Sequence, residues 1–261
     1  MPEREEPRSG PTYAPGVPRA ADALIRSVVL KRDRVDPEAY PFSIPAIRQL
    51  DELELDPHVT LLAGENGSGK STLVEAIAIA AGYNAEGGSR HMTVSTRPSH
   101  SALHEHVRLV RGTRRPRTGY FLRAESFFNV ATYVESIPEA VASHGGRPLH
   151  ERSHGESFIA LVTHRFGPNG LYILDEPEAA LSVRGELALM RRMHDLIAEG
   201  SQFIISTHSP VLLGYPGARI YVLSDDGIAQ TRYEDTDVFE LTRSFLEDRD
   251  RFLHHLFDDP A

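Results

Sequence analysis

Four short apolar runs set the rhythm of the chain: residues 59–63, 119–124, 171–174 and 202–206. An apolar run of this length, bounded by turn residues, predicts a strand buried on both faces of a parallel sheet. Between these runs apolar residues recur at helical spacing. Leu73, Ile77, Ala80 and Ala81 predict a helix that Gly82 stops. Ser153 and Glu156 have capping-box spacing ahead of an apolar helical stretch at 158–162. Residues 183–199 predict a helix that buries Leu187, Met190, Leu196 and Ile197 and stops at Gly200. Asp237 with Glu240 starts a last helix, whose stripe of Leu241, Phe245, Phe252, Leu256 and Phe257 suits a core or an intersubunit contact.

Strand and helix in alternation predict an α/β fold with a mainly parallel sheet flanked by helices. Ahead of it, residues 24–31 read as a strand, and residues 42–47 and 53–55 as weaker ones. Together these predict a small antiparallel sheet. Near the end, Asp225-Asp226-Gly227 between residues 219–223 and 228–233 marks a hairpin.

Composition narrows the class. At 261 residues and 40% hydrophobic, the chain accommodates one large domain or two lobes with a real core. Residues 1–20 hold five prolines and few large apolar groups, which predicts a flexible tail ahead of a domain over 21–261. With no cysteine there are no disulfides and no thiolate metal sites. No leader-like apolar segment follows the first charges, and no run reaches the roughly 18 apolar residues of a membrane span, so a cytoplasmic protein is expected. A formal charge of −9 disfavours nucleic-acid binding by the whole surface. Arg111, Arg114, Arg115 and Arg117 form a local basic cluster that reads either as a solvated loop or as a phosphate-backbone contact. His100, His104 and His106 lack an obvious fourth ligand, so they read as a solvated face rather than a metal site.

The chemistry centres on Gly64-Glu65-Asn66-Gly67-Ser68-Gly69-Lys70-Ser71-Thr72, which fits G-x-x-x-x-G-K-[ST] between a predicted strand and a predicted helix. Glycines let backbone N–H groups point inward as an anion nest, and the helix N-terminus adds about half a positive charge. Lys70 would reach β- and γ-phosphates and the Ser71 hydroxyl would ligate Mg²⁺. An adenine ring needs a flat partner, for which Tyr40 and Phe42 are candidates, each also suited to the core. Asp175 ends a buried strand, where a carboxylate beside a phosphate loop orders Mg²⁺ and its waters. Glu176 follows and can polarise an attacking water. His208, just past the next strand, can hydrogen-bond a γ-phosphate.

Taken in order, Gly64 to Thr72, Ser153-His154-Gly155-Glu156, Asp175-Glu176-Pro177 after its strand, and Ser206-Thr207-His208 resemble the Walker A loop, signature motif, Walker B with catalytic glutamate, and switch histidine of the ABC-type ATPases. The run Asp175-Glu176-Pro177-Glu178 resembles the soluble RecF, SMC and OLD-like heads and small stand-alone bacterial AAA-family ATPases. The resemblance implies ATP and Mg²⁺ as ligands, a small helical signature lobe inserted at about 83–166, and a head-to-head homodimer. In that dimer Ser153 and Gly155 would touch the γ-phosphate bound to the other chain. It leaves open a nucleic-acid-processing head or the ATP-binding subunit of a transporter. The chain departs from the family pattern at three places: His154 stands for a glycine, Ser182 for an aspartate, and no glutamine lies between Thr72 and Glu199. Glu125 or Ser126 is the candidate substitute for the missing glutamine.

Overall fold

The computed structural model describes residues 23–33, 35–90, 101–124 and 153–258. The proline-rich tail and the candidates His100, Glu125 and Ser126 lie outside these residues.

Six strands form the main sheet: β3 (Val59–Gly64), β5 (Thr118–Arg123), β6 (Gly170–Asp175), β7 (Gln202–Ser206), β8 (Arg219–Ser224) and β9 (Gly227–Thr231), in the order β5-β6-β7-β3-β8-β9. Every pair is parallel except β8/β9, the hairpin closed at Gly227. A second sheet, order β2-β1-β4, is antiparallel and joins β1 (Ile25–Leu30), β2 (Glu52–Glu54) and β4 (Val107–Arg111).

Side chains alternate across the pleat, so neighbouring residues feed opposite cores. Leu62, Ile173 and Ile204 pack with α2 (Lys70–Ala80) and the small sheet. Leu61, Tyr172, Leu174 and Ile205 pack on the other face, with Phe158 and Leu161 of α4 (His154–Arg165) and Leu189, Met193 and Leu196 of α5 (Val183–Ala198). Gln202 ties the two sheets together. Its fully buried amide donates to the Ile25 and Asp56 carbonyls, each at 2.8 Å, and accepts from the Ile25 N–H at 2.8 Å. Truncating it strands three backbone groups, so Gln202→Ala is expected to cost about 2 kcal/mol in urea unfolding.

Several expectations need correction. Residues 42–47 are not a strand: Pro45 opens the short helix α1 (Pro45–Gln49), where its missing N–H costs nothing. The third strand of the small sheet is β4, whose alternation is masked in sequence by Arg108 and Arg111. Because β4 pairs with β1 and β5 with β6, these strands are not part of a helical insert spanning 83–166. Helix α5 turns Glu186, Leu189, Met193 and Leu196 inward, while Leu187 is 54% exposed. A carboxylate can take the inner position because the buried Ser209 hydroxyl donates to Glu186. The last helix is two, α7 (Asp237–Glu247) and α8 (Arg249–Asp258), with Thr236 rather than Asp237 as N-cap. Leu241, Leu246, Leu256 and Phe257 are exposed and are not this chain's core. His106 packs edge-on against Phe42, with ring centroids 5.1 Å apart, and no cluster of three metal-ligating groups occurs among the described residues.

Candidate functional site

Strand β3 delivers the chain into the glycine-rich loop. Gly64 has φ +136, and a Cβ there would collide with the Leu223 carbonyl of β8. Gly69, at φ +99, is the N-cap of α2. L-residues with side chains rarely adopt these angles. Lys70, the first residue of α2, is buried, and its ammonium donates to the carbonyls of Gly64 at 2.8 Å and Glu65 at 2.9 Å. An ammonium has three donors, so one is left for a ligand. Burial pushes the Lys70 pKa down, against the opposing pull of Glu176, Asp175 and Glu178. The Ser68 hydroxyl is buried without a partner among the described residues. Ser71 and Thr72 are half-buried on the first helical turn, while Asn66 and Gly67 stand exposed at the tip of the loop.

The parallel register brings the distant residues to the same edge. Ser206 of β7 lies opposite Leu62 of β3 on one side and Asp175 of β6 on the other. Asp175 is buried, and the Ser206 hydroxyl donates to its Oδ1 at 2.5 Å. Glu176 has left-handed backbone, φ 48 and ψ 55, a conformation that costs a side-chain-bearing residue about 1 kcal/mol or more. Its N–H holds that turn by donating to the Ser206 carbonyl at 3.1 Å. The turn presents its carboxylate, Oε1 3.4 Å from His208 Nε2. Both side chains remain about one-third exposed. The His208 N–H donates to Glu178 Oε1 at 2.5 Å. Burial raises the Glu178 pKa, Glu176 adds to the rise, and the hydrogen bonds from His208 and Thr207 partly offset it.

Lys70, Asp175, Glu176 and His208 therefore share one rim. Of the two aromatic candidates, Phe42 is buried, whereas Tyr40 is 67% exposed with its hydroxyl 3.3 Å from Thr72 Oγ1. Two neighbours stood in the quoted motifs without a role. Ser206 gains one only when strand ends are aligned, and Glu178 only once its contact with the His208 N–H is seen.

Ser153 and Gly155 lie elsewhere. They line a groove of about 630 Å³ with Ala180, Leu181, Ser182 and Gly185, and no residue of the Gly64–Thr72 loop lines it. Ser153 caps α4 as the spacing predicts: its hydroxyl accepts from the Glu156 N–H, and Glu156 Oε2 accepts from the Ser153 N–H at 2.9 Å. Gly155 also has a packing role, since a Cβ there would stand 3.2 Å from the Ala180 carbonyl. Ser182 is the N-cap of α5.

Two family models match parts of the chain. "AAA domain" covers residues 43–134, with the glycine-rich loop. "AAA domain, putative AbiEii toxin, Type IV TA system" covers residues 144–214, from before Ser153 to beyond His208. Between them the two models span the glycine-rich loop, Ser153, Asp175, Glu176 and His208. Among curated relatives, the "Putative ABC transporter ATP-binding protein" of Methanothermobacter thermautotrophicus is 36% identical over 86 residues, 33% of this chain and 31% of that protein. The "Cytochrome c biogenesis ATP-binding export protein CcmA" of Salmonella typhi is 35% identical over 88 residues, 31% of this chain and 41% of that protein. The chain thus spans about a third of the length of these relatives. Among solved structures, the SMC head domain from Thermotoga maritima superposes with TM-score 0.43 at 14% identity, covering 80% of this chain and 98% of that one. No helix among the described residues is long and apolar enough to cross a membrane.

Proposed function

We propose that this chain is an ABC-type ATPase head that binds ATP with Mg²⁺, hydrolyses it to ADP and phosphate, and uses ATP to join two copies face to face. The observation that carries the reading is the meeting of Lys70, Asp175, Glu176 and His208 at one edge of the sheet, supplied by three parallel strands. The free Lys70 donor and the loop N–H groups, with Glu65, Asn66, Gly67, Ser68, Gly69 and Thr72 shaping the cradle, take the phosphates. Ser71 and Asp175 would be the chain's oxygen donors for Mg²⁺, which would neutralise phosphate charge when bound. The Glu176 carboxylate would accept a proton from the attacking water, and His208, whose Nε2 lies 3.4 Å from that carboxylate without a hydrogen bond, would donate to the γ-phosphate. Tyr40 offers its exposed ring to adenine. Ser153 and Gly155, in a groove that the Gly64–Thr72 loop does not line, suit a contact with nucleotide held by a second copy. Since ATP is a cytosolic metabolite, we read the protein as cytoplasmic. The test is steady-state phosphate release with and without Mg²⁺: a metal-dependent ATPase that Lys70→Ala abolishes supports the reading, and a rate indifferent to both changes rejects it.

A second reading, a head that also contacts nucleic acid, is favoured by one observation. Arg111 is held below the ordinary arginine range by burial and then by the charges of Arg90 and Arg115. None of Arg90, Arg111, Arg115 and Arg117 pairs with a carboxylate among the described residues, and Arg90 stands 5.3 Å from the Tyr83 ring centroid. Arg114 is engaged differently, donating to the Asn169 side-chain oxygen. If Arg111 and Arg115 touch phosphates, replacing both with Gln lowers DNA affinity and reduces the slope of log K against log salt by about 2. An unchanged slope would remove this reading, and co-purification with a membrane protein would replace it with a transporter subunit, the role its curated relatives are named for.

A further inference from the structure

The geometry points to Arg123 as a positioning residue that sets the spacing between the two side chains assigned to Mg²⁺. This rests on the nucleotide reading above. Arg123 is the last residue of β5 and lies directly opposite Asp175 in the β5/β6 register. Its guanidinium reaches two carboxylates: Nη1 is 2.6 Å from Glu75 Oε2, and Nε is 3.5 Å from Asp175 Oδ2. All three side chains are largely withdrawn from solvent, at 18%, 9% and 7% exposure.

Glu75 sits on α2, the helix whose first two residues are Lys70 and Ser71. Its other oxygen, Oε1, accepts from the Ser101 N–H at 3.1 Å. Glu75, Arg123 and Asp175 therefore form a charged bridge from the helix that carries Ser71 to the strand that ends in Asp175. The two Asp175 oxygens meet different neighbours: Oδ1 accepts from the Ser206 hydroxyl at 2.5 Å, and Oδ2 faces Arg123 Nε at 3.5 Å, an ion-pair contact rather than a hydrogen bond. A carboxylate hydrogen-bonded at one oxygen and facing a cation at the other has a favoured orientation about its last torsion. The bridge also opposes sliding of α2 along β6, which would change the separation of Ser71 and Asp175. Outer partners of this kind typically change metal affinity by 10- to 100-fold when removed. Arginine suits the role because its planar fork addresses two acceptors in a fixed geometry, which a lysine point charge does not.

The test is equilibrium binding of a fluorescent ATP analogue, with Mg²⁺ and with chelator, to wild-type protein, Arg123→Gln, Arg123→Lys and Glu75→Gln. We expect Arg123→Gln to bind the analogue within about twofold of wild type in chelator and to need roughly 10-fold more Mg²⁺ for its metal-dependent gain. Arg123→Lys and Glu75→Gln should shift that requirement in the same direction by less. If Arg123→Gln does not fold, the other two variants carry the test. A Mg²⁺ requirement unchanged in every folded variant overturns the assignment alone. A wild-type protein with no Mg²⁺-dependent gain overturns the nucleotide reading and this assignment with it.

Discussion

Glu176→Gln is expected to lower ATP hydrolysis by about 10³-fold while ATP affinity stays within a few-fold. The backbone of Glu176 sits at φ 48 and is held by the Ser206 carbonyl, so the turn survives loss of the charge. Glutamine preserves the shape and can still contact His208, but it has no basic oxygen to accept a proton from water. Only the chemical step is removed, and a state that hydrolysis normally dissolves should accumulate. In size-exclusion chromatography with ATP and Mg²⁺, Glu176→Gln should elute as a dimer and wild type as a mixture or a monomer. Persistence of the monomer would refute ATP-driven pairing while leaving the hydrolysis reading intact. Hydrolysis at the wild-type rate would refute the role of Glu176.

Lys70→Ala is expected to abolish most nucleotide-induced stabilisation. At ATP about 100-fold above its dissociation constant, a native-state ligand stabilises the fold by about 2.7 kcal/mol. For a chain of this size that raises Tm by about 5–10 °C. In the variant the loop loses the only side-chain cation reaching the carbonyls of Gly64 and Glu65 among the described residues, and the phosphates lose their nearest counter-charge. The ligand-free Tm should fall as well, because those two carbonyls lose their shared donor. The informative quantity is the difference between scans with and without ATP: several degrees in wild type, and about one degree or less in Lys70→Ala. A full shift retained by the variant would place nucleotide away from this loop.

The site was more legible in the sequence than the packing around it. Lys70, Asp175 and His208 each follow an apolar run, and a parallel sheet brings the ends of such runs to one edge, so linear order became spatial proximity. What spacing could not show was which neighbour completes each side chain. Ser206 and Arg123 depend on register across β5, β6 and β7, a tertiary fact. Two errors came from reading polarity too literally. Strand β4 was hidden by its arginines, whose aliphatic stems tolerate a half-exposed edge. Leu187 takes the outer face and Glu186 the inner one because the buried hydroxyl that receives the Glu186 carboxylate comes from Ser209, 23 residues later. Residues 42–47 misled in the opposite sense, because their apolar character fits a core helix as well as a strand and only Pro45 argued between them. The exposed row on α7 and α8 shows that helical periodicity reports an apolar face without saying what covers it.

The most direct test is a structure of Glu176→Gln with ATP and Mg²⁺ bound. The account predicts the β- and γ-phosphates within hydrogen-bonding distance of Lys70 Nζ, with the γ-phosphate facing Glu176→Gln and His208 and the metal between Ser71 and Asp175. Nucleotide bound anywhere else on the chain, with Lys70 still satisfied only by the carbonyls of Gly64 and Glu65, would contradict it.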